Sequence, residues 1–275
     1  MTGVQTCALP ISKAGQLPLC LGRDKELAAI FQHLQSGQQS LLLVGQDNIG
    51  KLAIFHGLAQ AMVQEKVPEV LFDKRLISLD FNQLLHHEKY SPDKLLLKIF
   101  QEAHLAGNVF FVFDNLAELI TNQAANQAGS NYNLVDILLN QLDKKLNLLA
   151  TCNPQEYHQL IIPSNLASKI TKMDITPPSD EATLIILQAH TPNIEDQTKI
   201  KFSYAALKAA INLTNRYQPN LMQPQKAINV LQLAATKCAQ NCLQNKQSPC
   251  VCQPQDIALV VDRKSTRLNS SHQPL

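Results

Sequence analysis

The stretch LLLVGQDNIGKLA, from Leu41 to Ala53, constrains the fold more than any other part of the chain. A short apolar run ends at Gly45, and residues 45–51 satisfy the pattern G-x-x-x-x-G-K. The residues after Lys51 carry apolar side chains at helical spacing. A buried strand, a glycine-containing turn and a helix form the context in which this pattern binds phosphate, because backbone N–H groups and the lysine charge converge on the anion. The stretch therefore predicts a phosphate-binding loop.

One position of this loop departs from the pattern. Ser or Thr normally follows the lysine, and its hydroxyl binds magnesium. This chain has Leu52 there, which offers no oxygen ligand. The residues predicted to contact the nucleotide in this loop are Gly45, Gln46, Asp47, Asn48, Ile49, Gly50, Lys51 and Leu52. The loop predicts binding of ATP or ADP with a weakened magnesium site.

A carboxylate follows another strongly apolar run, NVFFVFDNL, at Asp114. In phosphate-loop enzymes an Asp at the end of such a strand holds magnesium, so Asp114 is the predicted, weak, magnesium ligand. A Glu should come next if a water molecule is to be activated for hydrolysis. The next residue is Asn115, whose amide cannot accept a proton at neutral pH. No residue is therefore assigned as catalytic.

The order of apolar runs and helical patterns predicts an α/β fold. Strands are expected near residues 41–44, 75–81, 108–116 and 146–153, with helical patterns between them. Near-continuous apolar strands alternating with helices favour a three-layer domain with a parallel sheet. From Ser179, a predicted N-cap, the pattern becomes helical only. We predict a large α/β nucleotide-binding domain over 13–178 and a small all-helical domain over 179–250.

The two ends of the chain are expected to be non-native. The segments 2–11 and 262–272 can be encoded by DNA strings that are reverse complements of one another over nearly their whole length, as in a sequencing-library adapter. Such residues are excluded from fold reasoning. Residues 1–12 are therefore assigned to an adapter-derived head and 262–275 to an adapter-derived tail, and 251–261 to the start of a link toward a following module.

The charge balance gives no reason to expect nucleic acid or a membrane as a partner. The chain has 24 Lys and Arg against 22 Asp and Glu, and without the tail 21 of each remain. A balanced charge predicts no basic surface for nucleic acid. No apolar run approaches the roughly 18 residues that a membrane span requires, and the head lacks the features of a signal peptide. The expected compartment is the cytoplasm.

Six cysteines lie outside the two ends: Cys20, Cys152, Cys238, Cys242, Cys250 and Cys252. The last four have the spacing C-x3-C-x7-C-x-C, which fits none of the common zinc patterns, although Cys238 and Cys242 would share one helix face. A reducing compartment argues against disulfides. We expect these cysteines to behave as small apolar residues, and metal binding by the four stays an open alternative.

In this order, the elements resemble the first AAA+ module of the Clp-type unfoldases, the ClpA, ClpB and ClpC kind. The similarity extends over residues 17–261. The stretches that carry it are LGRDKEL (Leu21–Leu27), the segment Gly57–Leu85, FVFDNLAELI (Phe111–Ile120), LLATCNPQEYHQLI (Leu148–Ile161), QPQKAINVLQLAA (Gln223–Ala235) and DIALVV (Asp256–Val261). The helical domain then corresponds to the lid of that family.

The resemblance implies a ring, usually a hexamer, that uses ATP to thread unfolded protein substrates through its pore, with a peptidase as a further partner. Thr151 matches the position that senses the nucleotide, and Tyr90 falls at the pore-loop aromatic that grips the substrate. Ser168 and Lys169 stand where the family has paired arginines that reach the neighbouring subunit. A lysine lacks the planar fork of arginine, and an arginine finger contributes about 10³ to 10⁵ in rate.

Three hypotheses follow from these departures. The first is a degenerate module that binds nucleotide with weak or absent hydrolysis. The second is an active ATPase in which other groups replace the missing ones. The third is a non-enzymatic ring scaffold or interaction module.

Overall fold

The computed structural model describes residues 8–10, 20–37, 40–85, 91–125, 134–245 and 250–270. The chain divides into two compact units. The first comprises Met1–Gln46 with Lys51–Thr176, and the second comprises Pro177–Leu275 together with Asp47–Gly50. Among the described segments, no helix is both long enough and apolar enough to cross a bilayer.

The first unit alternates strands and helices along the chain. Its elements are β1 (Ala8–Pro10), α1 (Asp24–Gln35), β2 (Ser40–Val44), α2 (Lys51–Val63), β3 (Arg75–Leu79), α3 (Phe81–Leu85), α4 (Pro92–Ala106), β4 (Val109–Phe113), α5 (Ala117–Ala125), α6 (Leu134–Asp143), β5 (Asn147–Cys152), α7 (Pro154–Glu156), which continues as a π turn over Tyr157–Ile161, and β6 (Thr171–Asp174). The predicted strand and helix around the loop are confirmed as β2 and α2.

Within the described residues these strands form one sheet in the order β1-β3-β4-β5-β2-β6. The pairs β3–β4, β4–β5, β5–β2 and β2–β6 are parallel. β1 pairs antiparallel with β3 at the edge, with Ala8 opposite Leu79, and lies in the segment assigned above to a non-native head. After β2 the chain crosses to β3 on one side of it, and after β5 it crosses to β6 on the other side. The direction of the strand order therefore reverses at β2. Ligands bind at such reversals, beyond the carboxyl ends of the strands.

The sheet is buried on both faces, and its strands β2 and β4 are apolar at every position except Ser40. All residues of β2 (SLLLV) and of β4 (VFFVF) are buried, which requires cover above and below the sheet. Aromatic pairs fix the packing against the helices: the rings of Phe100 in α4 and Phe111 in β4 lie 5.2 Å apart, edge to face. The predicted α/β class with a parallel sheet is confirmed.

The second unit is helical, as predicted. It contains α8 (Asp180–Thr198), β7 (Lys201–Phe202), α9 (Tyr204–Tyr217), α10 (Gln225–Asn245), β8 (Val251–Cys252) and α11 (Pro254–Ser270). The predicted N-cap of α8 is confirmed, since Ser179 Oγ accepts a hydrogen bond from Ala182 N at 3.2 Å. Residues 251–261, expected to begin a link, form β8 and the first half of α11, and Ile257 and Val260 are buried in the core of this unit.

Two of the cysteines depart from the expectation that all behave as small apolar residues. Cys242 and Cys250 form a disulfide, with their Cα atoms 6.0 Å apart. The expectation was wrong for this pair because the chain returns to α10 at Cys250, whose Sγ lies 3.5 Å from Cys238 O, a proximity that sequence spacing does not reveal. Cys152, Cys238 and Cys252 are buried thiols, and Cys20 is half-buried.

Candidate nucleotide site

The predicted phosphate loop begins where β2 leaves the sheet. Gly45 N donates a hydrogen bond to Cys152 O of β5 at 3.2 Å, which fixes the start of the loop against the neighbouring strand. Asn48 has φ 64° and Gly50 has φ 89°, so the loop uses two left-handed residues before it enters α2. Gly tolerates this conformation without strain, and Asn is among the few other residues that adopt it readily. The left-handed backbone thus favours Asn48 and Gly50 at these positions, in addition to the sequence pattern that includes Gly50.

The charge at the start of α2 is positive. Lys51 is the first residue of α2, and no acidic residue occupies its first turn. The Lys51 ammonium donates to Gly45 O at 2.6 Å and to Gln46 O at 3.1 Å, so it lies over the loop itself. A helix N-terminus that carries a lysine and lacks a carboxylate stabilises a bound anion. This donor set fits the phosphates of a nucleotide.

Thr151 and Asp114 meet at the same edge of the sheet. The strand order places β5 between β2 and β4, so Thr151 lies between the loop and the end of β4. Thr151 Oγ1 donates to Asp114 Oδ1 at 2.9 Å and accepts from Asn115 N at 3.0 Å. Its side chain is 1% exposed. The hydroxyl therefore orients the predicted magnesium ligand and the residue after it.

Asn115 lies between two carboxylates that sequence reasoning did not select. Its Nδ2 donates to Glu118 Oε1 at 3.4 Å and to Glu156 Oε1 at 3.3 Å. Its backbone is left-handed, with φ 61°. Its Oδ1 is buried with no hydrogen-bond partner among the described residues. The amide thus acts as a neutral donor to two acids at the position where hydrolytic enzymes carry a base.

Two groups near Asn115 have shifted pKa values. Burial raises the pKa of Glu118; the hydrogen bond from Asn115 opposes this shift, and the charges of Asp114, Glu156 and Asp80 add to it. Burial also lowers the pKa of His56 on α2, against the opposing charge of Asp114. Perturbed groups of this kind concentrate at functional sites, where they supply candidates for proton transfer.

One of the two expected magnesium positions provides a ligand. Leu52 is half-buried in the first turn of α2 and has no ligand atom. Of the two positions that bind the metal in phosphate-loop enzymes, only Asp114 provides an oxygen. A magnesium ion at this site would therefore be held through Asp114.

The remaining predicted positions lie apart from this cluster. Ser168 ends a 3₁₀ turn (Leu166–Ser168), and its Oγ donates to Asn165 O at 2.7 Å. Lys169 is exposed and forms an ion pair with Asp143 at the end of α6. Tyr90, the predicted pore-loop aromatic, lies outside the described residues.

One residue that sequence reasoning missed had a readable signal. Glu156 and Asn153 form a capping box: Asn153 Oδ1 accepts from Glu156 N at 2.8 Å, and Glu156 Oε2 accepts from Asn153 N at 3.1 Å. An Asn followed three residues later by Glu is the sequence signature of this motif. The cap places the Glu156 carboxylate beside Asn115.

The segment before α1 packs tightly on the loop helix. A Cβ at Gly57 of α2 would lie 2.5 Å from Cys20 Cβ and 2.7 Å from its Sγ, so this glycine permits a close approach. Arg23 is 4% exposed, and its Nη1 donates to Glu26 Oε1 at 2.6 Å and to Thr176 O at 2.8 Å. These contacts fix the start of α1 against the chain that follows β6.

A parallel sheet with a phosphate loop after β2, an acid after β4 and a Thr on the strand between them, followed by a helical unit, defines a P-loop protein of the AAA+ class. Residues 179–272 match the family model described as the AAA lid domain. The ATP-dependent Clp protease ATP-binding subunit ClpC of Staphylococcus epidermidis (strain ATCC 12228 / FDA PCI 1200) is 32% identical over 231 residues, covering 82% of this chain and 28% of that protein. ClpC of Staphylococcus aureus (strain USA300) has the same identity and coverage.

Solved structures show the same fold. The closed state of Hsp104 with ATPγS and FITC casein has a TM-score of 0.84 at 21% identity, covering 96% of this chain and 46% of that one. The S. cerevisiae Hsp104–ADP complex has a TM-score of 0.82 at 21% identity, covering 97% and 45%. The chain spans 28% of the length of the two ClpC relatives. It is a Clp-type AAA+ module.

Proposed function

We propose that this module binds ATP or ADP through its phosphate loop and hydrolyses ATP weakly or not at all, as part of a Clp-like protein unfoldase. The observation that carries the proposal is the contrast within one site. Lys51 and the start of α2 keep the groups that hold phosphate, while Leu52 and Asn115 occupy the positions of the magnesium ligand and of the general base.

Binding is supported by the chemistry of the loop. A lysine that donates charge-assisted hydrogen bonds to phosphate contributes about 1.5–3 kcal/mol, or roughly a tenfold to 150-fold change in affinity. Because Leu52 gives no metal ligand, we propose that the affinity depends little on magnesium. The contacts assigned to the nucleotide come chiefly from Gly45, Gly50 and Lys51.

Weak hydrolysis is supported by changes at separate places. Asn115 donates its amide protons to Glu118 and Glu156 and cannot accept a proton from water. Lys169 is paired with Asp143 of its own chain, and Ser168 carries no charge. The groups that activate water and stabilise the developing charge are thus both replaced.

Calorimetric titration of the chain with ATP, with and without magnesium, tests the binding. We expect similar affinities in the two conditions and a loss of at least about tenfold in Lys51→Ala. Lys94→Ala, an exposed lysine on α4, is the matched control and should leave the affinity unchanged. Leu52→Thr, which supplies a hydroxyl, should make binding depend on magnesium. Absence of binding in both conditions would leave only the scaffold hypothesis.

A second candidate, an active ATPase, is favoured by one specific observation. Glu118 lies within hydrogen-bond distance of Asn115, and burial and three neighbouring acids raise its pKa, a perturbation that is common in groups at functional sites. This candidate predicts steady phosphate release that stops in Lys51→Ala and in Glu118→Gln. The main proposal predicts release at the background rate of Lys51→Ala in all variants.

The assembly is also a proposal. We infer a cytoplasmic ring homo-oligomer, a hexamer in relatives of this type, that engages unfolded protein and a peptidase partner. The support is the lid match over 179–272 and the resemblance to Hsp104, which has been solved with casein. Sedimentation of the chain with and without ATP tests ring formation, and a monomer in both conditions would contradict it.

A further inference from the structure

The second unit contains a compact group of sulfur atoms at the end of α10. Cys238 and Cys242 lie one turn apart on this helix. Cys250 directly precedes β8, and Cys252 is its last residue. Cys242 and Cys250 are joined by the disulfide. Cys250 Sγ is 3.5 Å from Cys238 O, so the disulfide lies beside the remaining pair of thiols. The sequence spacing C-x3-C-x7-C-x-C is thereby split into a bonded pair and an unbonded pair.

The unbonded pair forms a three-ligand cluster with a carboxylate. The Sγ atoms of Cys238 and Cys252 and a carboxylate oxygen of Asp256 all lie within 4.8 Å of one another. Tetrahedral zinc with Zn–S bonds near 2.3 Å requires sulfur ligands roughly 3.8 Å apart. The observed separations are thus within about 1 Å of the spacing that a tetrahedral site requires. Two thiolates and one carboxylate are ligands of the type that zinc accepts.

The three ligands are held by rigid elements. β8 pairs with β7, with Cys252 opposite Phe202. Ser203 donates to Cys252 O from both its N and its Oγ, each at 3.2 Å. Asp256 lies in the first turn of α11, where its Oδ2 accepts from Gln253 N at 2.8 Å. A carboxylate has two oxygens, so this cap is compatible with a metal contact.

The surroundings favour sulfur-seeking ions. Cys252 is 0% exposed and Cys238 is 5% exposed, so both sulfur atoms are shielded from bulk water. A hard cation such as magnesium prefers oxygen ligands, so two sulfur contacts would not compensate it for the water molecules that it loses on binding.

We propose that Cys238, Cys252 and Asp256 form a binding site for Zn²⁺ in the helical unit, with water in the fourth position. The site is separate from the nucleotide loop and uses no residue of the phosphate or magnesium positions. Its effect is to link the end of α10 to β8 and to the start of α11.

The test uses the whole chain with its disulfide intact, after metals have been removed with a chelator. Calorimetric titration with Zn²⁺ should show one equivalent bound, and titration with Co²⁺ should produce sulfur-to-cobalt charge-transfer absorption. The melting temperature should rise with added Zn²⁺, because the cation binds the folded state. Cys20→Ser, a half-buried cysteine of the other unit, is the matched control and should bind one equivalent unchanged.

Asp256→Asn is the decisive variant, because the Asn side-chain oxygen can still accept the hydrogen bond from Gln253 N while the negative charge is removed. We expect it to weaken Zn²⁺ binding on the order of tenfold or more, and Cys238→Ser to abolish the charge-transfer band. Circular dichroism confirms that each variant is folded. Absence of Zn²⁺ uptake, or unchanged uptake in Asp256→Asn and Cys238→Ser, would overturn the site. Binding that requires prior reduction by a phosphine and disappears in Cys242→Ser would also overturn it, by assigning the metal to the other pair.

Discussion

Replacing Thr151 by Val gives the sharpest test of how the candidate site is held together. Val has nearly the shape of Thr, so the change removes a hydroxyl without leaving a cavity. That hydroxyl donates to Asp114 Oδ1 and accepts from Asn115 N, and it is buried at the end of β5. The substitution therefore removes both side-chain hydrogen bonds of Thr151 at this point, whereas the backbone bond from Leu116 N to Thr151 O remains.

The magnitude follows from the environment of each partner. Asn115 N loses its acceptor in a half-buried place, which costs about 1–3 kcal/mol. Asp114 is exposed, and water replaces its lost donor, so this bond contributes less than about 1 kcal/mol. Burying a methyl group in place of a hydroxyl returns roughly 1 kcal/mol. We expect the free energy of unfolding to fall by about 1.5 kcal/mol.

Urea unfolding of the whole chain, followed by circular dichroism, measures this change. Thr121→Val is the matched control, because Thr121 is exposed on α5 and its hydroxyl contacts only Glu118 O; a shift within about 0.5 kcal/mol is expected there. If Thr151→Val also stays within that range, with an unchanged slope against urea, the hydroxyl does not hold the two strand ends. Nucleotide affinity measured on the same samples then shows whether Asp114 needs this orientation.

Other substitutions test the surroundings of the site. Burial raises the pKa of Glu118 in the folded state above its value in the unfolded state. The free energy of unfolding therefore falls as the pH rises through the interval between these two pKa values. Glu118→Gln should therefore stabilise the protein at neutral pH and be neutral in acid, as urea midpoints across pH would show. Arg23→Ala should cost about 1.5–3 kcal/mol, because it removes the charge-assisted hydrogen bonds of a buried guanidinium to half-buried Glu26 and to Thr176 O, and a loss under about 0.5 kcal/mol would contradict this. Gly57→Ala should cost about 1–3 kcal/mol through the contact with Cys20, despite its gain in helix propensity; Cys20→Gly should restore part of that loss, and no recovery in the double variant would argue against the contact.

The loop was readable because its chemistry is local. The spacing of Gly45, Gly50 and Lys51 and the apolar residues on either side fix a strand, a turn and a helix within a single stretch of chain. The parallel sheet followed for a similar reason, since strands buried on both faces are apolar at every position, as in β4. Both features depend on sequence neighbours only.

The surroundings of Asn115 were only partly readable, because they combine the turn after β4 with the turn after β5. Glu118 approaches through the left-handed turn at Asn115, and the capping-box pattern of Glu156 does not reveal that this residue lies beside Asn115. The disulfide between Cys242 and Cys250 likewise depends on the return of the chain to α10 at Cys250. The compartment argument against disulfides considered redox conditions alone, whereas spatial proximity decides which thiols meet.

The neutral amide of Asn115 avoids a repulsion that a glutamate at this position would introduce. The carboxylate introduced by Asn115→Glu would lie beside Glu118 and Glu156 and next to Asp114 in the chain, and like charges at such distances repel one another. We expect Asn115→Glu alone to lose stability at neutral pH without gaining phosphate release, and Asn115→Glu combined with Glu118→Ala to recover that stability in urea titrations. On the proposed function, a gain of hydrolysis at this site would require changes at more than one position, and one of them, Asn115→Glu, is unfavourable beside Glu118 and Glu156.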